Sequence, residues 1–214
     1  MRARPRKNLD KRMEACKAYL PENPEALKGK WRERLGKNDA PLHIEIGCGK
    51  GKFINELALQ NPDTLYVAIE KIPSVLLLAL EKAVTAKPDN LLFLSYDAAL
   101  LGEVFDTDEI DRIYLNFSDP WPPKKQWKRR LTHQRQLDVY KQFLKEGGEI
   151  VQKTDNVPLF EFSVCELSKN GFIIEELSTD LHKTDIPNIM TEYETRFSEA
   201  GIKINRLVAR LNKK

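Results

Sequence analysis

Acidic residues recur in this chain directly after short aliphatic runs, and the first of those runs ends in a cluster of glycines. The segment Leu42-His-Ile-Glu-Ile-Gly-Cys-Gly-Lys-Gly51 carries Gly47, Gly49 and Gly51, where backbone can pass close to a ligand without a Cβ clash. Later runs stop at Glu70, at Tyr96-Asp97 and at Ser118-Asp119. A phosphate-binding loop of the Gly-x4-Gly-Lys-Ser/Thr kind needs glycine at Ile46 and a hydroxyl at Phe53, and the chain has neither. A dinucleotide loop of the Gly-x-Gly-x-x-Gly kind needs its third glycine at Lys52, one residue later than it comes. A nicotinamide-type site is weakened by that mismatch and stays open as an alternative.

A second chemical segment is Asn116-Phe-Ser-Asp-Pro-Trp-Pro-Pro-Lys-Lys-Gln-Trp-Lys-Arg-Arg-Leu-Thr132. Pro120, Pro122 and Pro123 remove donors and restrict the backbone, stiffening a loop that carries Asp119. Trp121 and Trp127 offer flat faces beside Lys124, Lys125, Lys128, Arg129 and Arg130, a combination that grips phosphates and packs against unstacked bases. A turn pinned to the core by Trp121, followed by a solvated basic helix start, explains the same residues. His43, His133 and His182 offer no convincing general base, and His43 reads as a packed strand residue. No spacing suits a metal, and Cys16, Cys48 and Cys165 read as small buried or partly buried residues.

The elements that must position these groups alternate. Leu42–Ile46, Leu65–Ile69, Leu91–Ser95, 112–117 and 149–153 read as strands, and 51–60, 73–86 and 133–145 space their apolar residues as amphipathic helices do. A helix near 158–169 and strands near 172–178 and 203–211 follow. Such alternation predicts an α/β protein with a mostly parallel sheet and helices on both faces. Residues 1–40 read as a basic arm with one short helix, and 41–214 as the domain. In an open sheet of this kind ligands bind beyond the carboxyl ends of the strands, where Glu70, Asp97 and Asp119 stand. Glu70 and Asp97 are also natural caps at strand-to-helix turns.

The net charge of +3 hides an asymmetry: residues 1–12 sum to +5, residues 124–135 to +6, and the remainder to −8. An acidic body with two basic patches suits a polyanionic partner. The N-terminus lacks a secretory apolar stretch, and the longest greasy run, Val75 to Leu80, is too short to span a bilayer. A reducing cytoplasm and no membrane are the expectation.

The pattern Glu-x-Gly-x-Gly-x-Gly from Glu45 is similar to the first motif of class I methyltransferases, whose cofactor, S-adenosyl-L-methionine, carries an ammonium and a sulfonium but no phosphate. Carboxylates suit that ligand: Glu70 for the ribose hydroxyls, Asp97 for the adenine amine, Glu45 for the methionine end. The chain as a whole resembles the bacterial tRNA (guanine-N7)-methyltransferases. The likeness runs from Trp31 through Ile44–Gly51, Asn116–Pro122, Lys128–Leu131 and Lys153-Thr-Asp-Asn156 to Asn188-Ile-Met-Thr-Glu-Tyr-Glu194.

The resemblance implies a Rossmann-like fold with a seven-stranded sheet and methylation of N7 of a variable-loop guanosine to 7-methylguanosine. It implies cofactor contacts from Glu45, Gly47, Gly49, Glu70, Asp97 and Asp119, with Asp119 also catalytic. It further implies guanosine contacts from Asp155, Thr191, Glu192, Tyr193 and Glu194, and tRNA contacts from Lys125, Lys128, Arg129 and Arg130. Family members place lysine directly after Asp-Pro-Trp-Pro, where this chain has Pro123, so that guanosine contact passes to Lys124. Thr191-x-x-Glu194 also reads as a capping box. No metal is expected, and the state is a monomer or a homodimer. Two other readings are a non-catalytic RNA-binding protein, which has no need of the ordered acids, and methylation of an exocyclic amine. The second expects an Asp-Pro-Pro-Tyr-like loop and meets Trp121 and Pro122 instead.

Overall fold

The computed structural model describes residues 7–122 and 126–213. Seven strands form one sheet in the order β3-β2-β1-β4-β5-β7-β6: β1 Leu42–Ile46, β2 Leu65–Ile69, β3 Leu91–Leu94, β4 Ile110–Asn116, β5 Leu144–Thr154, β6 Phe172–Ser178 and β7 Asn205–Leu211. β3, β2, β1, β4 and β5 pair in parallel, and β7 joins antiparallel to both β5 and β6. Every residue of β2 and β3 is buried. That explains their unbroken aliphatic runs, since strands covered on both faces have no polar side to show.

The helices are α1 Leu9–Ala15, α2 Trp31–Arg34, α3 Lys52–Gln60, α4 Pro73–Ala86, α5 Gln134–Phe143, α6 Val157–Lys169 and α7 Glu192–Glu199. α1, α3 and α4 lie on one face of the sheet, around Phe53, Leu76, Leu80 and Phe93. The other face packs Trp31, Phe105, Tyr140, Phe143 and Leu167. Local chemistry starts these helices where the sequence changes period. Pro73 opens α4 without losing a needed donor, and the Asn156 side chain caps α6 by accepting from Leu159 N at 2.8 Å. Among the described residues no helix is long and apolar enough to cross a membrane.

β5 begins at Leu144, five residues before the β-branched run at Glu149 suggests, because Leu144 pairs with Ile110 past an irregularity in the ladder. Lys145-Glu-Gly-Gly carries turn residues, and only this long-range pairing extends it. Cys16 and Cys48 are buried, but Cys165 is exposed on α6 and does not share their packing role.

Among the described residues, the segment before β1 holds two short helices and two 3-10 turns, at Lys17–Tyr19 and Glu25–Leu27, and it is bound to the domain from Arg12 onward. Arg12 donates two hydrogen bonds to Glu81 on α4, each 2.8 Å. Trp31 has no exposed surface, rests against Phe105 with ring centroids 5.5 Å apart, and donates from Nε1 to Val104 O at 2.8 Å. The buried Glu109 carboxylate accepts from the backbone of Gly29, Trp31 and Asp106. Trp31→Ala therefore removes a large buried side chain and is expected to cost about 3–5 kcal/mol. Urea unfolding followed by circular dichroism checks this, and a loss below about 1 kcal/mol would show that the segment is only loosely attached.

Candidate active site

Parallel pairing brings the ends of β1, β2 and β4 to one edge, and each delivers a polar side chain there. Glu45, one residue before the end of β1, is 2% exposed. Its Oε1 accepts from Asn116 Nδ2 at 2.8 Å, while Oε2 is buried with no partner. Burial pushes this carboxyl up to about 7, against the lowering effects of the Asn116 bond and the Lys153 ammonium. Glu45 and Asn116 line a cavity of about 210 Å³ together with Gly47, Cys48 and Gly49. Gly47 and Gly49 hold positive φ, and a Cβ on either would meet nothing within 4 Å. Gly51 differs: a Cβ there would stand 2.4 Å from the Ala79 Cβ. The third glycine thus serves the approach of α4, which is why its place departs from the dinucleotide spacing.

Glu70 and Asp97 stand on the neighbouring strand ends, outside the lining of this cavity. Glu70 accepts from Gly49 N at 3.2 Å and from Ile72 N at 2.9 Å, so it braces the glycine loop and the start of α4. Asp97 accepts from Lys71 Nζ at 2.5 Å and from Ala99 N at 3.1 Å. The Lys71 bond and then the Ala99 amide hold its carboxyl below the usual range. Capping and braces are thus real for both acids, and both remain partly open to solvent.

The opposite wall is the start of α7, with Thr191, Glu192, Tyr193 and Arg196 on the cavity. Thr191 caps the helix, accepting from Glu194 N at 2.9 Å, and the Glu194 carboxylate accepts in return from Thr191 N at 3.4 Å. Glu192 pairs with Lys82 of α4. Tyr193 is 46% exposed and stacks on Phe197 at 4.2 Å, with Phe117 5.2 Å away on its other contact. Burial, then the nearby Asp155, pushes the Tyr193 phenol up; Asp155 itself is half-buried just past β5. Glu194, one of the expected guanosine contacts, has no exposed surface, and both of its oxygens are engaged inside the protein.

Asp119 is exposed on the loop after β4. That loop is bent by two non-glycine residues at positive φ, Phe117 and Trp121, a conformation that surrounding contacts must enforce. Arg130, one of the expected tRNA contacts, does so from inside the protein. It is 4% exposed, donates to Pro120 O at 2.7 Å and Trp121 O at 3.0 Å, and lies over the Phe162 ring. Lys128 and Arg129 are exposed, and Arg129 stacks 3.7 Å over Trp121. Trp121 is therefore pinned by Arg130 and also presents a cation–π pair. Lys124 and Lys125 lie outside the described residues. His133 caps α5 through Nδ1, accepting from Arg135 N. His43 packs against Tyr66 and Tyr114, and burial lowers its imidazole to about 4.

The site also uses Asn116, Lys153, Lys82 and Arg196, none of which residue type alone singles out. Asn116 and Lys153 lie in the Asn116–Pro122 and Lys153–Asn156 segments, but their burial depends on strand pairing. Lys82 and Arg196 sit on helix faces with no local signal.

Residues 39–207 match the family model described as "Putative methyltransferase". The tRNA (guanine-N(7)-)-methyltransferase of Lachnoclostridium phytofermentans is 50% identical over 89% of this chain and 90% of that protein. That of Streptococcus agalactiae serotype III is 48% identical over 98% of this chain and 100% of that protein. Among solved structures, the 16S rRNA methyltransferase KamB is similar in fold, with a TM-score of 0.65 at 16% identity, covering 84% of this chain and 92% of its own.

Glu45 gives the site a measurable signature in the protein alone. With its carboxyl at about 7 against an ordinary 4.5, the folded state holds the proton more tightly than the unfolded one. The stabilisation is full below about pH 4.5 and is lost as pH rises through about 7, a swing of about 3 kcal/mol at most. Glu45→Gln, neutral throughout, is expected to raise the calorimetric Tm at pH 8 and leave it nearly unchanged at pH 4.5. Equal Tm values at pH 8 would refute the buried, unpaired carboxylate.

Proposed function

We propose, from the premise that this chain belongs to the tRNA (guanine-N7)-methyltransferase family, that it transfers a methyl group from S-adenosylmethionine to N7 of a tRNA guanosine. The observation that carries the site assignment is Glu45. A buried carboxylate oxygen without a partner, on a cavity with open space beside Gly47 and Gly49, is a place for a cation. The ammonium of the cofactor's methionine end meets that need, and Glu70 and Asp97, each still partly open to solvent, offer carboxylates to the ribose hydroxyls and the adenine amine. Those residues fit the cofactor, which supplies an electrophilic methyl group on a sulfonium.

Guanine N7 has a free lone pair and no proton to lose, so the protein's task is alignment rather than proton removal. Ideal positioning is worth up to ~7–11 kcal/mol. The residues left for orientation are acidic or aromatic. Glu192 and Asp155 accept from the N1–H and exocyclic amine of guanine, on the edge opposite N7, while Tyr193 stacks on the ring. Methylation makes the base cationic, and Asp119 supplies a carboxylate that favours the developing charge. Lys128 and Arg129, with Lys125 of the same segment, hold tRNA phosphates, and Lys124 takes the guanosine contact of the family lysine. The absence of a histidine base is then expected, since His133 and His43 are occupied structurally.

Two measurements test this reading. Asp119→Ala is expected to abolish formation of 7-methylguanosine from unmodified tRNA and labelled S-adenosylmethionine, while tRNA binding by filter retention largely survives. Near-normal turnover in that variant would remove Asp119 from the chemistry. Because Glu45 must be ionised to hold an ammonium, calorimetric affinity for S-adenosylmethionine should tighten from pH 6 to pH 8. Glu45→Gln should bind weakly and without that slope; an unchanged slope would place the ammonium elsewhere.

A further inference from the structure

Lys153 and Glu194 form an ion pair sealed from water, with side-chain exposures of 4% and 0%. Lys153 stands at the end of β5 and Glu194 in the first turn of α7. The ammonium donates to Glu194 Oε2 at 2.6 Å, to Asn188 Oδ1 at 3.0 Å and to Ile189 O at 2.9 Å, which uses its three protons. Glu194 Oε1 bonds His182 Nε2 at 2.9 Å and accepts from Asn188 Nδ2 at 2.6 Å. Burial alone would push the Glu194 carboxyl up, but Lys153, His182 and Asn188 together hold it below its ordinary value. No capacity is left on either side chain for a ligand.

The cluster fastens an irregular strap, residues 187–191, that separates two cavities. On one side is the candidate active site with Thr191, Glu192 and Tyr193. On the other is a cavity of about 660 Å³ lined by Lys153 and by 187–190 of the strap. A buried pair of this kind adds little net stability relative to apolar packing, and its attested use is to fix one arrangement. We propose that Lys153 is a positioning residue for the guanosine site. Through Glu194 it locks the first turn of α7 to the end of β5, and so sets Thr191, Glu192 and Tyr193 at the distance that alignment of guanine requires. This rests on the function proposed above, and it makes Glu194 part of the latch rather than a contact to the base.

The test uses Glu194→Gln, which keeps the volume and the capping hydrogen bond but loses the charge, and Lys153→Met/Glu194→Met, which replaces the pair with apolar packing. Expected for both is a fall in kcat of at least tenfold and toward about a hundredfold, as for a misplacement on the order of 1 Å. KM for tRNA should stay close to that of the unaltered protein in both. Affinity for S-adenosylmethionine should hold in Glu194→Gln, which keeps the Lys153 charge that acts on Glu45, and Tm should hold in the double variant, whereas Glu194→Gln alone lowers Tm by leaving the Lys153 ammonium buried without its counter-charge. Lys153→Met alone should lose as much as the double variant, because residues acting as a unit are not additive. Near-normal kcat in Glu194→Gln would overturn the proposal. Additive losses would overturn it in favour of direct base contact by Glu194, and a loss of cofactor affinity in Glu194→Gln together with a loss of Tm in the double variant in favour of a role in the fold. If the unaltered protein forms no 7-methylguanosine, the function itself fails and this inference with it, a result seen before any variant is made.

Discussion

Parallel pairing of β1 between β2 and β4 is the constraint from which the site follows. Glu45 stands level with Ala68 on one side and Tyr114 on the other, so the three chains leave the sheet at one edge. Each must then turn into a helix or loop within a few residues. Backbone amides freed at that edge need acceptors, and Glu70 and Asp97 provide them to Gly49, Ile72 and Ala99. The acids are there first because a turn needs them. Their availability to a ligand comes from standing at the sheet's open end with solvent on one side.

Two buried glutamates show how the same side chain takes opposite roles within this edge. Glu194 is surrounded by an ammonium, an imidazole and an amide, and its carboxyl is held down. Glu45 has one amide donor and a distant ammonium, and its carboxyl is pushed up to about 7. Burial is nearly equal, so partners decide. The first carboxylate is consumed by the fold, and the second retains an unmet need for positive charge. Lys153 touches one directly and influences the other through space, so the latch on α7 and the character of the cavity are electrostatically linked.

Strand and helix periods carried most of the architecture into view, because β2 and β3 are buried on both faces and α4 and α6 begin with local signals, Pro73 and the Asn156 cap. The start of β5 was not legible: Lys145-Glu-Gly-Gly has the composition of a turn, and only pairing with Ile110 makes it strand. At the site, the residue types at strand ends were legible, since Glu70 and Asp97 end aliphatic runs. Direction was not. Arg130 and Arg129 are adjacent and chemically alike, yet one is folded inward on the carbonyls of a strained loop and the other lies outside on Trp121. Glu194 and Glu192 divide in the same way over two residues of α7. Such choices depend on what lies across the gap, and helical phase alone places a side chain only to within a turn.

The charge pattern follows a division of labour that these inward turns sharpen. On the function proposed, a polyanion is repelled by the acidic remainder of the chain and drawn to the basic segment after β4. The cavity itself carries carboxylates from Glu45 and Glu192, which disfavour phosphate and favour cations or N–H-rich edges. On the function proposed, guanine would present such an edge opposite N7, the cofactor would bring an ammonium, and the methylated base would itself be a cation, so an acidic pocket would favour the base over its own backbone. Arg130 serves this arrangement from within, because the loop that carries Lys128 and Arg129 holds its shape through the carbonyls of Pro120 and Trp121.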